Sequence, residues 1–277
     1  TGVQTCALPI FSEQAMQDPL YNPSDTLNKD ITLDEVKLVV KSAKFRKAVG
    51  IDMIPNEVLK NANLLELIHN LFQLCFDCGK IPRPWTQAII HPIPKSKEND
   101  QRIPLNYRGI SLLSCLSKMF TSLLNNRITC FMENRNTISD EQNGFRKDRS
   151  CTDHIFVLHS ILKSRKLAGK DTFVTYIDFS KAFDGVNREM LLYKIIANEI
   201  DGKMYFIIKA LYSQTSACVN VNNRLTQWFD TVLGVRQGDC LSPTLFNTFI
   251  NDLAAVIKLL DIGIQIGEEK IPILLYA

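Results

Sequence analysis

No uninterrupted apolar run in the sequence reaches the ~18 residues that a bilayer-spanning helix needs, so no candidate membrane span is found and no membrane partner is expected. Charge of one sign is scarce too: 32 Lys and Arg stand against 29 Asp and Glu, a net charge of +3. The overall charge therefore does not announce a binder of nucleic acid. Internal repeats and low-complexity tracts are absent, which argues against a solenoid or a disordered chain. Only one Cys-x-x-Cys occurs, Cys75 and Cys78, with no second pair or Cys/His pair at zinc-site spacing.

What is present is enough for a real core, since 45% of the 277 residues are hydrophobic. The eight cysteines are scattered rather than framed, which fits structural thiols in a reducing, intracellular setting. Between Arg102 and Ser150, eight Lys and Arg outnumber four Asp and Glu, a local +4 that suits a phosphate backbone or a solvated helix face.

In chain order, residues 11–31 are polar, broken by Pro19 and Pro23, and read as an extended arm. Thr32 to Glu35 form a capping box before a helix with Val36, Val39 and Val40 on one face. After a loop at Lys47–Asp52, Pro55 opens a second helix that runs to Gly79. The proline-rich stretch from Ala88 to Lys95 is confined to short edge strands or extended chain. A long helix starts near Ser114, with Leu116, Phe120, Leu123, Leu124, Ile128 and Phe131 inward. Residues 142–150 form a basic loop, and a further helix follows from Asp153 to Leu167.

Phe173-Val-Thr-Tyr-Ile177 is an apolar, β-branched run without a breaker, and it reads as a buried strand. It delivers the carboxylate of Asp178, followed by a turn carrying Lys181, Phe183 and Asp184. A carboxylate at the tip of a buried strand must be neutralised or bind a cation. Helices are expected at Arg188–Ala197 and Lys203–Tyr212, and strands around an Asn222-Asn223 turn. Gly234 to Asp239 is a loop, Ser242-Pro243 starts a helix, and Ile262, Ile264 and Ile266 alternate as a strand. A last strand starts at Ile271 and runs to Ala277. Helices followed by a strand-rich section around carboxylates suggest an α+β fold in two subdomains.

The string from Phe173 to Asp184 resembles the first catalytic motif of reverse transcriptases of the non-LTR (LINE-like) retrotransposon type. Arg236-Gln-Gly-Asp-Cys-Leu-Ser-Pro243 resembles the second. The likeness runs from about Ala48 to Ala277. It implies a right-hand polymerase fold with fingers at 47–170 and part of the palm at 171–277, without a thumb. Residues 11–46 are then an N-terminal extension. Residues 1–10 resemble the translation of a sequencing adaptor and are set aside.

The resemblance also implies roles. Asp178 is the catalytic carboxylate; it and the Phe179 carbonyl would bind two Mg²⁺ ions together with an Asp pair after Tyr276 that this sequence does not reach. Lys95 and Arg108 would grip the triphosphate of the incoming nucleotide, and the turn of Ser180, Lys181 and Ala182 would face it. Phe183 would be a steric gate against ribose, and Gln237 and Gly238 would contact the nucleotide. Gln142, Gly144, Phe145, Arg146, Lys147 and Arg149 would hold the nucleic acid. Gly109 and Cys240 stand where the family often has Pro, Asp148 where Gly is common, and Arg188 where His is frequent. The partners implied are an RNA template, a DNA primer and deoxynucleoside triphosphates, in the nucleus and in a cytoplasmic ribonucleoprotein. The 277 residues alone are expected not to polymerise DNA. A non-catalytic nucleic-acid-binding relic and an intron-maturase-type enzyme are the rival readings.

Overall fold

The computed structural model describes residues 24–96 and 100–276. Residues 1–10, the first part of the expected arm, three residues of the loop after Lys95 and Ala277 lie outside these. The fold mixes helices with a small sheet.

The arm is not extended where it is described. Asp25–Asn28 form a helical turn, α1, and Leu27 and Ile31 are buried. Helix α2 (Leu33–Ser42) begins with the expected Thr32/Glu35 capping box. The reason both pack is Arg127, a buried residue of the long helix. Its guanidinium meets both carboxylate oxygens of Glu35 at 2.7 and 2.9 Å. It also donates to the carbonyls of Leu27, Lys29 and Asp30 at 3.2, 2.6 and 2.9 Å. A buried charge is tolerated when it is paired and its donors are filled.

The helix expected from Pro55 to Gly79 is two pieces, α3 (Asn56–Leu59) and α4 (Leu65–Cys78). Between them the Asn61 side chain accepts from the Asn63 amide at 3.0 Å, a local bond that competes with helix continuation. Ile68, Phe72, Cys75 and Phe76 are the buried face of α4. Phe72 meets Phe120 and Trp85 at ring distances of 5.0 and 6.0 Å, the aromatic centre of the core.

Strand β1 (Gln87–Pro94) runs antiparallel to β2 (Tyr107–Leu112), with Ile93 opposite Arg108. Contrary to the edge expected from its prolines, β1 lies inside the sheet. The other neighbour, β3 (Ser216–Val221), pairs only with Gln87–Ile90, so Pro92 and Pro94 sit where that flank is open. Helix α5 (Cys115–Asn134) follows with its expected inward face buried, then α6 (Cys151–Leu167), α7 (Arg188–Ala197) and α8 (Gly202–Ser213). β3 turns through Asn222 and Asn223, both at positive φ, into β4 (Arg224–Leu225). β5 (Phe229–Asp230) also pairs with β3. Helix α9 (Ser242–Leu259) and the hairpin of β6 (Ile264–Ile266) and β7 (Glu269–Ile271) complete the described chain. No described helix is long and apolar enough to cross a membrane.

Two expected strands are corrected. Residues 172–177 form no strand, and Phe173 and Ile177 are 95% and 78% exposed. An apolar, β-branched run forms a strand only against a neighbour that takes its backbone groups, and no described strand pairs with it. At the start of the run Arg165 donates to the Thr172 hydroxyl at 2.8 Å. After Ile271 the second strand reduces to a single parallel bridge between Leu275 and Gln142, with the Leu275 carbonyl accepting from His154 at 2.8 Å.

The Glu35–Arg127 pair sets an acid sensitivity. Burial by itself would raise the Glu35 carboxyl, but the bonds from Arg127 and the Thr32 amide outweigh it and lower the group from 4.5 to about 2. A depressed carboxyl stabilises the fold fully above pH 4.5, and that contribution is lost as pH falls towards about 2. It amounts to about 3 kcal/mol. Urea unfolding at stepped pH should show this loss in the native protein and a flatter acid limb in Glu35→Gln; identical acid limbs would contradict it.

Candidate functional site

The site is built where two loops lock together. One is the turn at residues 180–185, closed by the Gly185 amide donating to the Lys181 carbonyl at 3.0 Å. The other is the loop from Leu233 to Gly238. The Gly234 amide donates to the Val186 carbonyl at 2.8 Å and the Val235 amide to the Phe183 carbonyl at 2.9 Å. Gly234 has φ +83°, and a Cβ there would stand 2.9 Å from the Asp184 Cα and the Phe183 carbonyl, so only glycine lets the loops touch. The Gln237 side-chain amide donates to Asp184 Oδ1 at 2.7 Å.

Two arginines hold this junction, Arg236 buried and Arg188 half-buried. Arg188, the first residue of α7, donates to the carbonyls of Gly234, Tyr212, Thr231 and Leu233 at 2.9, 3.1, 2.6 and 3.2 Å, and to the Thr215 hydroxyl at 2.8 Å. Burial lowers its guanidinium from the ordinary value. Arg236 donates to the Trp85 carbonyl at 2.6 Å and lies 3.3 Å from Asp239. Ser242 Oγ donates to the Arg236 carbonyl at 2.6 Å and lies 3.3 Å from the Tyr212 hydroxyl, whose pKa burial pushes up to about 12. The loop is thus fastened to the aromatic core on one side and to α7, α8 and β3 on the other.

Between these loops and the sheet lies a cavity of about 380 Å³. Lys95 reaches it from the end of β1, Arg108 from β2, Lys181 and Asp184 from the turn, and Gln237 from the loop. Arg188 and Arg236 also contribute to its wall, so five cations face one carboxylate among the described lining residues. Such a concave cationic site concentrates polyanions.

Four of the expected nucleotide contacts therefore converge: Lys95, Arg108, Lys181 and Gln237. Ser180, Ala182, Phe183 and Gly238 do not line the cavity. Ala182 packs on the core. The half-buried Phe183 ring sits 5.0 Å from that of Phe246 and 6.1 Å from that of Phe145, in an aromatic stack beside the core. At Gly238, φ +81°, a Cβ would lie 3.2 Å from the Ser111 carbonyl, so this glycine serves the approach to β2.

Asp178 and Phe179 lie in the exposed, unpaired run. Among the described residues no group of three or more His, Cys, Asp or Glu side chains stands together as a metal site. One carboxylate and one carbonyl do not hold two magnesium ions against their hydration, so the donor set for that metal pair is not assembled by these residues.

The basic loop divides. Gln142 and Gly144 are buried, with the Gly144 amide donating to Gln142 Oε1 at 2.8 Å and the Gly144 carbonyl accepting from Asn247 at 2.7 Å. Arg146 is also turned inward. It grips Glu133 at 2.9 and 2.7 Å and the carbonyls of Ser139 and Gln142 at 3.0 and 3.1 Å. That pairing holds the Glu133 carboxyl below its usual range. Its donors are occupied inside the protein, because the carbonyls of a tight loop need partners. Phe145, Lys147 and Arg149 stay exposed, Arg149 with Asp140 at 2.8 Å. Arg188 and Arg236 are the structural hubs that sequence reasoning left without a role; nothing in their spacing tells that carbonyls from four segments gather around them.

Residues 93–277 match the family described as reverse transcriptase (RNA-dependent DNA polymerase). The chain belongs to that family. It is 31% identical over 234 residues to the probable RNA-directed DNA polymerase from transposon BS of Drosophila melanogaster, covering 81% of this chain and 25% of that protein. It is 26% identical to the RNA-directed DNA polymerase from mobile element jockey of the same fly, over 89% of this chain and 26% of that protein. The Pol polyprotein from type-1 retrotransposable element R2 of Popillia japonica is 29% identical, over 90% of this chain and 34% of that protein. The chain thus spans a quarter to a third of these relatives, which are products of non-LTR retrotransposons.

Arg146→Ala should cost about 3 kcal/mol, since it strands Glu133 and two loop carbonyls. Lys147→Ala should stay within about 0.5 kcal/mol. Chemical denaturation of the two variants checks this, and equal midpoints would mean that Arg146 is as free as its neighbour.

Proposed function

We propose that this chain is the nucleotide-gripping part of a non-LTR retrotransposon RNA-directed DNA polymerase. In this reading residues 47–170 are fingers and residues 171–277 part of the palm. The observation that carries it is the convergence of Lys95, Arg108, Lys181 and Gln237 on one cationic cavity. Lys95 and Arg108 leave the ends of paired strands, so their backbones are fixed. Their heads then neutralise the phosphates of a deoxynucleoside triphosphate without reordering, which is how preorganised charge aids phosphoryl transfer.

The exposed Phe145, Lys147 and Arg149 are the part of the basic loop offered to a template strand. Lysine and arginine there hold phosphates without reading sequence, and the aromatic ring gives a base something to stack on. Asp178 and the Phe179 carbonyl belong to this reading as donors to the two magnesium ions, which supply nucleophile activation and leaving-group stabilisation in the family. The further carboxylates that such a pair of ions needs do not stand beside them among the described residues. RNA template and DNA primer are the macromolecular partners. The nucleus and a cytoplasmic ribonucleoprotein are the places of work.

Equilibrium dialysis of the chain against a radiolabelled deoxynucleoside triphosphate tests the reading. The triphosphate should bind and the bare nucleoside should not. The double variant Lys95→Ala/Arg108→Ala should bind at least about tenfold more weakly, given charge-assisted bonds of ~1.5 kcal/mol or more. Equal binding of nucleoside and triphosphate, or an unaffected double variant, would contradict it.

A further inference from the structure

Asp184 is out of place for a polyanion site. It is the one carboxylate among the described residues lining a cavity that otherwise presents Lys95, Arg108, Lys181, Arg188 and Arg236. A negative charge there repels a triphosphate and should weaken its binding. The described contacts give Asp184 a specific partner: its Oδ1 accepts the Gln237 side-chain amide at 2.7 Å. The backbone places the two in register. The Phe183 carbonyl takes the Val235 amide at 2.9 Å, one residue before Asp184 and two before Gln237. Because Gly234 lets Asp184 approach the loop, the carboxylate stands within reach of Gln237 and not of the cations alone.

We propose that Asp184 is the positioning residue of Gln237 in the nucleotide cavity. This rests on the triphosphate reading above. A glutamine amide on a loop can present either end to a ligand, and its two ends make opposite demands. By accepting an N–H, Asp184 fixes which end is engaged at home. Gln237 then offers Oε1 to the cavity, where it accepts from a donor such as a sugar hydroxyl or a base N–H. The carboxylate keeps one rotamer populated before the nucleotide arrives, and preorganisation of this kind shows as affinity. The gain in orientation outweighs the repulsion of one charge among five cations. Its action is through Gln237 and not on the phosphates.

Two neutral replacements separate charge from acceptor. Asp184→Asn keeps an amide oxygen that accepts from Gln237, while Asp184→Ala keeps neither; both remove the charge. Each is made in the full 277-residue chain, with and without Gln237→Ala, and dialysed against a radiolabelled deoxynucleoside triphosphate. Asp184→Ala should bind about fivefold more weakly than Asp184→Asn, the equivalent of one net hydrogen bond. Asp184→Asn should bind at least as tightly as the unaltered chain. In the Gln237→Ala background the two neutral variants should be equal.

Equal tightening by both neutral variants would overturn the proposal and leave Asp184 a plain turn carboxylate. The same Asn/Ala difference with Gln237 removed would also overturn it, since Asp184 would then act through another group. No triphosphate binding by the unaltered chain would overturn the cavity reading itself and this inference with it. Binding by the unaltered chain without an Asn/Ala difference sinks the Asp184 role alone.

Discussion

The site depends on one guanidinium. Arg188 stands at the first position of α7, and its five polar contacts belong to the end of α8, the approach to β3, the residue just after β5 and the loop beyond. Four of the acceptors are carbonyls of chain ends and loops, groups that a helix or sheet ladder would otherwise have satisfied. A planar fork of five donors fits several acceptors at once, and no other side chain can. Arg188 thus ties together the ends of α8, β3 and β5 and the loop that follows them. The loop it holds is the one that meets the turn at residues 180–185 and carries Gln237 to the cavity.

The same device recurs. Arg127 collects three carbonyls and Glu35 at the N-terminal segment, Arg146 two carbonyls and Glu133 at the basic loop, and Arg236 the Trp85 carbonyl and Asp239 beneath the cavity. These arginines are inside, while the lysines of the site, Lys95, Lys147 and Lys181, keep their heads in water. The division follows from hydration. A guanidinium is weakly hydrated and forked, whereas an ammonium is compact and strongly hydrated. Arginine fastens the scaffold, and lysine with Arg108 supplies the charge that a ligand meets.

Much of this was legible in the sequence where the signal is local. The inward face of α5, the limits of α7, the Thr32/Glu35 box and the Asn222-Asn223 turn all come from spacing and capping within a few residues. The motif residues Lys95, Arg108, Lys181 and Gln237 also met in one cavity. What was not legible is non-local. An apolar run such as residues 172–177 reads as a buried strand, but pairing is decided by what lies alongside, which the run does not encode. Arg146, Lys147 and Arg149 look alike in sequence, yet only Arg146 has Glu133 and two loop carbonyls within reach. Phe183 sits at the offset of a gate, and the rings it packs against, Phe145 and Phe246, come from distant parts of the chain that its own motif does not encode. The prolines of β1 argued for an edge, and the sheet met their demand within a central strand by pairing β3 only ahead of them.

Arg188 holds the loop at 231–237 against the turn at 180–185 and so forms the cavity. Amide hydrogen exchange in Arg188→Lys tests it most directly. Lysine keeps the charge but cannot serve five acceptors. The amides of Gly234 and Val235, bonded to the Val186 and Phe183 carbonyls, should exchange faster while those of α5 keep their protection. Unchanged protection at Gly234 and Val235 would contradict it, and would mean that the two loops hold each other without the guanidinium.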